Sequence, residues 1–519
     1  MAAPCKPLAA SVLLIAFVSI LACGAAAAAE PLPEPAASAA GGSSAEPEIL
    51  LPTPRPAADP EISIEGLQKE LRRLEREVET LRKAKPEKPP ETLAERLAAA
   101  EKSLKKMVDA DDKRKSEDAK KPSLVVSGQV QGDMVYFGQD AESRAAVGDL
   151  QDGAQFRRLR IGARGKSFEV LEYSLGVDFA LAYQPSYLDN YIEAHELPWL
   201  QNVRFGHFFE PFSLERVTQN RNNTFMERSL VDTFAPARNS GVMLYGNSEN
   251  ERATWQIGTF RTNSDNTGND SFDSGQALTM RSTVLPWWDD SSDGRFYLHL
   301  GAGYSYRDAY QNQVRFRNTP ELRKQQPRDV PGPKPDSNYN PGTLIPSPFA
   351  PIFVDTGNIK NVDHFQLFDP EFAIILGPLS LQSEYAFAAV HRTGQPDLFF
   401  NGYMAQLSYF LTGEHRPYDR KLGIHKRVEP FEDFFRVRTR KQGIQTGLGA
   451  WEIAARYSNI VLNDKDISGN NLTDFTVGLN WYLNSYTRAK FNYVRAFLED
   501  RKAGNSLTDL YGMRFDFDF

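Results

Sequence analysis

The chain has 519 residues, is 41% hydrophobic and carries a formal net charge of −7. A mean hydropathy of −0.47 excludes a helical membrane protein, and the mildly acidic balance excludes a nucleic-acid binder, which needs a strongly basic domain. Both cysteines, Cys5 and Cys23, lie near the N-terminus, so the body of the chain has neither a disulfide framework nor a thiolate metal site.

Lys6 precedes an uncharged stretch from Pro7 to Ala29, with an apolar run from Leu13 to Val18 and small residues from Ala25 to Ala29. This reads as a secretory signal over residues 1–29, cleaved after Ala29, with lipid attachment at Cys23 as the alternative. Residues 30–60, rich in Pro, Ala, Glu and Ser, read as an extended linker. Ile64, Leu67, Leu71, Leu74, Val78 and Leu81 then follow a heptad spacing. Lys85-Pro86-Glu87-Lys88-Pro89-Pro90 interrupts it, because proline cannot continue a helix. A second seam runs through Leu93, Leu97, Ala100, Leu104 and Met107. Residues 61–110 are therefore expected to form a short α-helical coiled-coil region in the periplasm; the other reading is a solvated helix pair without a partner. The charged stretch 111–122 reads as a hinge.

From residue 123 the helical period gives way to alternation. Tyr511, Met513, Phe515, Phe517 and Phe519 share one face of the last segment, with Arg514, Asp516 and Asp518 on the other. Phe475, Val477, Leu479, Trp481 and Leu483 alternate with polar residues in the same way, as do Ala489, Phe491 and Tyr493. Apolar faces ending in aromatics, backed by charges, suit a lipid-facing wall around a wet lumen. Sixteen strands are predicted, starting near 123, 154, 168, 187, 200, 240, 252, 276, 296, 363, 378, 400, 448, 473, 486 and 508. The fold class is all-β, with residues 123–519 forming a 16-stranded antiparallel transmembrane β-barrel in the bacterial outer membrane. Short turns alternate with long connections, except that the long, basic segment 413–447 falls where a short turn is expected. So many strands enclose an aqueous channel, and the segments 211–239 and 307–362 are long enough to fold inward and narrow it.

Several stretches resemble the phosphate-selective porin O/P family. They include Phe156-Arg157-Arg158 with Arg160-Ile161-Gly162, Arg204-Phe205-Gly206 with Glu210-Pro211-Phe212-Ser213, and Phe225-Met226-Glu227-Arg228. Phe234-Ala235-Pro236-Ala237-Arg238, Tyr304 to Asp308, Leu411 to Glu414, Trp451-Glu452 with Arg456-Tyr457, and Gly478 to Tyr482 follow in order. The resemblance implies a trimeric porin with an anion-selective throat, passing small hydrophilic solutes or anions such as phosphate. It places Arg157 and Arg158 at the constriction and Arg315 and Arg317 on an arginine ladder leading to it, with Arg160, on the face of Arg158, also expected to line the path. Guanidinium forks match phosphate oxygens and stay charged at any working pH. By alternation Arg157 shares a face with Leu159 and Ile161, so either a bulge re-aims it or the carry-over fails there. Arg436 and Arg438 also stand at period two, forming another ladder or a basic periplasmic face. The barrel portion stays net acidic, which lends no support to a broadly anion-attracting pore.

Little else in the chain suggests chemistry. The seven histidines are scattered without metal-ligand spacing, and no cofactor motif is present. A barrel enzyme would need a set such as Ser186 or Ser271 with His391, which nothing in the sequence recommends, so no enzyme is expected. Expected partners are outer-membrane lipid and two further copies of the chain, with the cell wall as a contact of the coiled coil. A mainly structural barrel that tethers the envelope through that coil is the second reading.

Overall fold

In the computed structural model, the described residues are 93–180, 185–262, 275–323, 352–439 and 443–519, with five single positions between 72 and 79. The first heptad seam, the linker and the signal lie almost wholly outside them. Helix α1 (Leu93–Ala119) carries the second seam, and its Leu104 and Met107 stand exposed. The helix runs on through residues 111–119, where a hinge was expected; that stretch is charged but holds neither Pro nor Gly to stop it. A coiled-coil pairing is not part of the described structure.

Sixteen antiparallel strands close into a barrel. They are β1 (Val125–Gln139), β2 (Gly153–Ser167), β3 (Leu171–Asp178), β4 (Asn190–Leu197), β5 (Gln201–Phe209), β6 (Arg238–Asn247), β7 (Ala253–Arg261) and β8 (Gln276–Trp288). The second half holds β9 (Phe296–Asp308), β10 (Val362–Leu376), β11 (Leu379–Arg392), β12 (Leu398–Phe410), β13 (Ala450–Asp464), β14 (Ile467–Tyr482), β15 (Thr487–Asp500) and β16 (Gly504–Asp518). Closure comes from β16 pairing along β1, from Gln129 opposite Asp518 to Gln139 opposite Thr508. The backbones of Gly128 and Phe519 exchange two further hydrogen bonds of 3.0 and 3.1 Å beyond that ladder. No edge is left to pair with another chain.

The alternation in β16 shows why these strands belong in lipid. Tyr511, Met513, Phe515 and Phe517 are 41–49% exposed, whereas Arg514, Asp516 and Asp518 are at most 1% exposed. A soluble sheet would bury the aromatics and expose the charges. Here the apolar face meets acyl chains and the charged face meets other protein groups inside the barrel.

The lumen is filled unevenly. Residues 210–237, between β5 and β6, turn inward and bury Phe212, Leu214, Phe225, Met226, Leu230 and Phe234. Phe316, Leu322, Phe353 and Ile359, from the connection between β9 and β10, join them. Together they pack against inward-facing Phe400, Met404, Ile460, Leu472, Val494 and Leu510 on the wall from β10 to β16. Each such aromatic contributes roughly 1.5–3 kcal/mol by burial. The connection between β12 and β13 also enters, from the end where the other turns are short. Its Tyr418 hydroxyl lies 2.6 Å from His299 Nδ1, and the Gly423 carbonyl accepts from Arg281 at 2.8 Å. Burial, reinforced by Arg416, pushes His425 on this connection well below the usual imidazole range.

Arg456 on β13 pins this filling. It donates to Glu321 at 2.9 and 2.7 Å, to Glu215 at 3.0 Å and to the Glu227 carbonyl at 3.0 Å, and it covers the Phe225 ring at 4.4 Å. Replacing it would strand two buried carboxylates. Arg456→Met is expected to cost about 3–5 kcal/mol of stability, seen as a lower midpoint of urea unfolding in detergent, and to raise single-channel conductance as the inward segments loosen.

Candidate functional site

A cavity of about 350 Å³ lies on the side of the lumen bounded by β1 to β7. Its walls come from the inward faces of β1 to β7, with residues 217–221 and Arg228 across from them. Seven arginines line it: Arg158, Arg160 and Arg164 on β2, Arg204 on β5, Arg221 and Arg228 on the inward segment, and Arg238 at the start of β6. The carboxylate among its lining residues is Asp189.

β2 positions its arginines through a bulge. Gln131 lies opposite Arg158 and Gly132 opposite Phe156, so Arg157 is the extra residue. A bulge re-aims its side chain, and both Arg157 and Arg158 are 7% exposed. Strict alternation would have sent one of them into lipid. The two then part in role. Arg157 forks onto Glu227 of the inward segment through two bonds of 2.8 Å. Arg158 lies 4.0 Å from that carboxylate, donates to Gln131 at 2.7 Å, and keeps a buried Nε without a hydrogen-bond partner.

Glu227 also accepts from Arg514 at 2.7 Å and lies 3.7 Å from Arg323, while Arg514 forks onto Asp133 at 2.7 and 2.8 Å. Burial alone would raise the Glu227 carboxyl, yet the guanidiniums of Arg157, Arg158, Arg514 and Arg323 hold it well below the usual carboxylate range.

Most of the other lining arginines are held by a carboxylate, a carbonyl or a ring. Arg160 donates to Asp178 at 2.7 Å and to Asn220 at 3.3 Å. Arg204 donates to Glu193 at 2.7 Å and covers the Tyr191 ring at 4.1 Å. Arg238 forks onto Asp189 at 3.1 and 2.8 Å and covers Phe209 at 3.8 Å. Arg228 spends its donors on the Glu215 and Arg216 carbonyls, and Arg221 pairs with Asp518 at 2.8 Å. Stacking on rings holds guanidinium planes in place without cancelling their charge. Burial opposes ionisation of Asp189, but Arg238 keeps it below the ordinary range. Seven guanidiniums and one carboxylate thus line the cavity, with Asp178, Glu193 and Asp518 behind them as ion-pair partners of Arg160, Arg204 and Arg221.

Of the arginines singled out by sequence, Arg158 and Arg160 line the cavity. Arg157 is lumenal but committed to Glu227. Arg315 and Arg317 lie outside the cavity, on the connection between β9 and β10. Asp355 takes the Arg315 guanidinium, in part at 2.8 Å, and is the strand partner of Arg317. Arg436 and Arg438 sit in the strand Phe435–Thr439, paired with Gly443–Gly447 apart from the barrel sheet; their side chains lie outside the described residues. His391 stacks on His364 at 4.9 Å on β10 and β11, remote in strand order from Ser186, and Ser271 lies outside the described residues. Arg164, Arg204, Arg221, Arg228 and Arg238 were not assigned to the path, although Arg204, Arg228 and Arg238 stand inside the motifs quoted above.

The sequence family described as "Phosphate-selective porin O and P" matches residues 126–519. Porin O of Pseudomonas aeruginosa is 26% identical over 369 residues, 67% of this chain and 78% of that protein. An uncharacterized protein of Caulobacter vibrioides is 26% identical over 390 residues, 72% of this chain and 68% of that one. Among solved structures, an anion-selective porin from Comamonas acidovorans covers 77% of this chain and 100% of its own, at 11% identity and a TM-score of 0.43. The channel DcaP of Acinetobacter baumannii covers 77% and 97%, at 10% identity and a TM-score of 0.42.

The depressed Glu227 carboxyl carries a prediction. Its contribution to docking is complete above the ordinary glutamate value of about 4.3 and is lost only as the pH falls through its lower folded-state value. Wild-type conductance is therefore expected to stay level from neutral pH to about 4.3, whereas Glu227→Gln is expected to show a larger, noisier conductance already at pH 7. Single-channel recording across that range checks both.

Proposed function

The chain belongs to the phosphate-selective porin O and P family, and on that premise we propose that its arginine-lined cavity is the path by which small anions, phosphate among them, cross the barrel. The protein is an outer-membrane porin, a passive channel for small hydrophilic solutes. Its family is one of channels, and the proposed path needs no bond to be made or broken.

The observation that carries the anion reading is the imbalance of the lining, seven guanidiniums to one carboxylate, in a chain whose total charge is −7. Asp178, Glu193, Asp518 and Asp189 pair with the lining arginines Arg160, Arg204, Arg221 and Arg238, and other acidic groups of the barrel are spent elsewhere. Glu210, Glu215, Glu321, Glu371 and Glu452 are buried in ion pairs with Arg307, Arg456, Arg281 and Arg416. Net charge therefore says little about the field along the open half of the lumen. Arg158 and Arg160, with Arg204 and Arg238, carry the selectivity in this reading; Arg157 acts by holding the inward segment, and Arg315, Arg317, Arg436 and Arg438 bear on the approach to the path, not on its throat.

Assembly as a homotrimer fits the outer wall. Strands β3, β4, β5 and β7 are only 8–9 residues long, against 13–16 for β8 to β16. Their outward face presents the exposed apolar residues Leu175, Ile192, Phe205 and Ile257. A tilted strand needs about 9–11 residues to cross a bilayer, and a wall of shorter strands with an apolar outer face suits contact with another copy. In the same reading residues 1–29 are removed on export, 30–60 are a linker, and 61–110 stand in the periplasm within reach of the cell wall.

Phosphate added to chloride-conducting single channels is expected to block them. Arg204→Ala is expected to raise the half-blocking phosphate concentration at least about tenfold, the equivalent of ~1.4 kcal/mol. Equal block of both proteins would remove Arg204 from the path. Chemical crosslinking in native membranes is expected to give a trimer; monomers alone would rule the assembly out.

A further inference from the structure

A second cluster lies on the lumenal face near the short-turn end of β3 and β4, beside Arg204 but outside the lining of the cavity. Glu172 on β3 and Glu193 on β4 stand directly opposite each other across the ladder. Two like charges in that position repel, so the pairing needs compensation. Part of it is visible: Lys166 lies 2.5 Å from Glu172, and Arg204 and the Tyr245 hydroxyl occupy Glu193 Oε2 at 2.7 and 2.9 Å.

His195 is the residue these pairs leave unexplained. Asn202 donates from its Nδ2 to the Tyr245 carbonyl at 3.1 Å, which turns its Oδ1 toward His195 Nδ1 at 2.8 Å. An acceptor there takes the Nδ1 proton and leaves Nε2 as the ring atom turned the other way. That atom is buried and has no hydrogen-bond partner, although the side chain as a whole is 26% exposed. It faces Glu193 Oε1 at 3.5 Å and Glu172 Oε1 at 3.7 Å. A cation between the three atoms would resolve the arrangement.

We propose that Glu172, Glu193 and His195 form a binding site for a divalent transition-metal cation of the zinc class at the periplasmic mouth of the barrel. The donor atoms lie within 4.8 Å of one another. Tetrahedral ligands at about 2.1 Å from zinc stand roughly 3.4 Å apart, close to the spacing around Nε2. One imidazole and two carboxylates suit zinc and its neighbours, whereas Mg²⁺ and Ca²⁺ favour oxygen alone. Asn202 supplies the outer hydrogen bond that orients metal-ligating histidines. Lys166, with its side chain 65% exposed, competes for Glu172 and would turn into solvent when the ion enters. A bound ion would add positive charge next to Arg204, which donates to Glu193.

The test is calorimetric titration of the folded full-length protein in detergent with ZnCl₂. One ion per chain is expected, not displaced by excess MgCl₂. His195→Ala and Glu172→Gln should each weaken binding at least tenfold. Lys166→Ala should tighten it, an effect that loss of folding cannot mimic. His391→Ala, at the stacked pair with His364, should leave it unchanged. Absence of stoichiometric binding by the wild type, equal binding by His195→Ala, or loss of binding in His391→Ala instead would overturn the proposal. If His195→Ala fails to fold, the opposite effects of Lys166→Ala and Glu172→Gln decide the matter.

Discussion

One carboxylate organises the lumen. Glu227, within the inward segment 210–237, is gripped by Arg157 and Arg514 and approached by Arg158 and Arg323. A barrel of sixteen strands is too wide to select small ions unless something narrows it. Narrowing by a loop requires that the loop be fixed, and a charge removed from water is fixed only where it is paired and hydrogen-bonded. The bulge at Arg157 makes this possible, because it gives β2 two adjacent inward guanidiniums where ordinary alternation gives one. One guanidinium is spent on the loop, and its neighbour is left lining the cavity.

The division of the lumen follows from the same anchor. With residues 210–237 held against the β10 to β16 wall, apolar side chains fill that half and the acidic groups there close into ion pairs. The open half is left with guanidiniums braced on rings and on single carboxylates. An arginine braced in this way loses little side-chain entropy on meeting an anion, since its plane is already set. The connection between β12 and β13 completes the packing from the periplasmic end through Tyr418 and Gly423.

The barrel itself was legible because lipid imposes period two on every strand. The alternation in β14, β15 and β16 marked those strands, and the predicted starts fall within four residues of the observed ones except that of β14, which begins six residues earlier than expected. What stayed hidden is long-range. The bulge at Arg157 shows only in the register with Gln131 and Gly132. Arg315 and Arg317 have the spacing of a ladder, but Asp355, forty residues from Arg315, occupies the Arg315 guanidinium. The basic segment after β12 looked anomalous in length, yet its insertion rests on His299 and Arg281, far away in sequence. Phe400 and Met404 face inward against the polar-lumen rule because a loop covers them. Arg204, Arg228 and Arg238 were visible as motif residues; their convergence on one cavity was not.

The central claim is that local guanidinium density, and not net charge, sets what passes. The most direct measurement is the reversal potential of the purified wild-type channel in a planar bilayer under a KCl gradient. A potential of the sign set by chloride is the predicted result, despite the acidic chain. A potential of the sign set by potassium would contradict the account, keeping the porin but discarding the arginine-lined path as its selector.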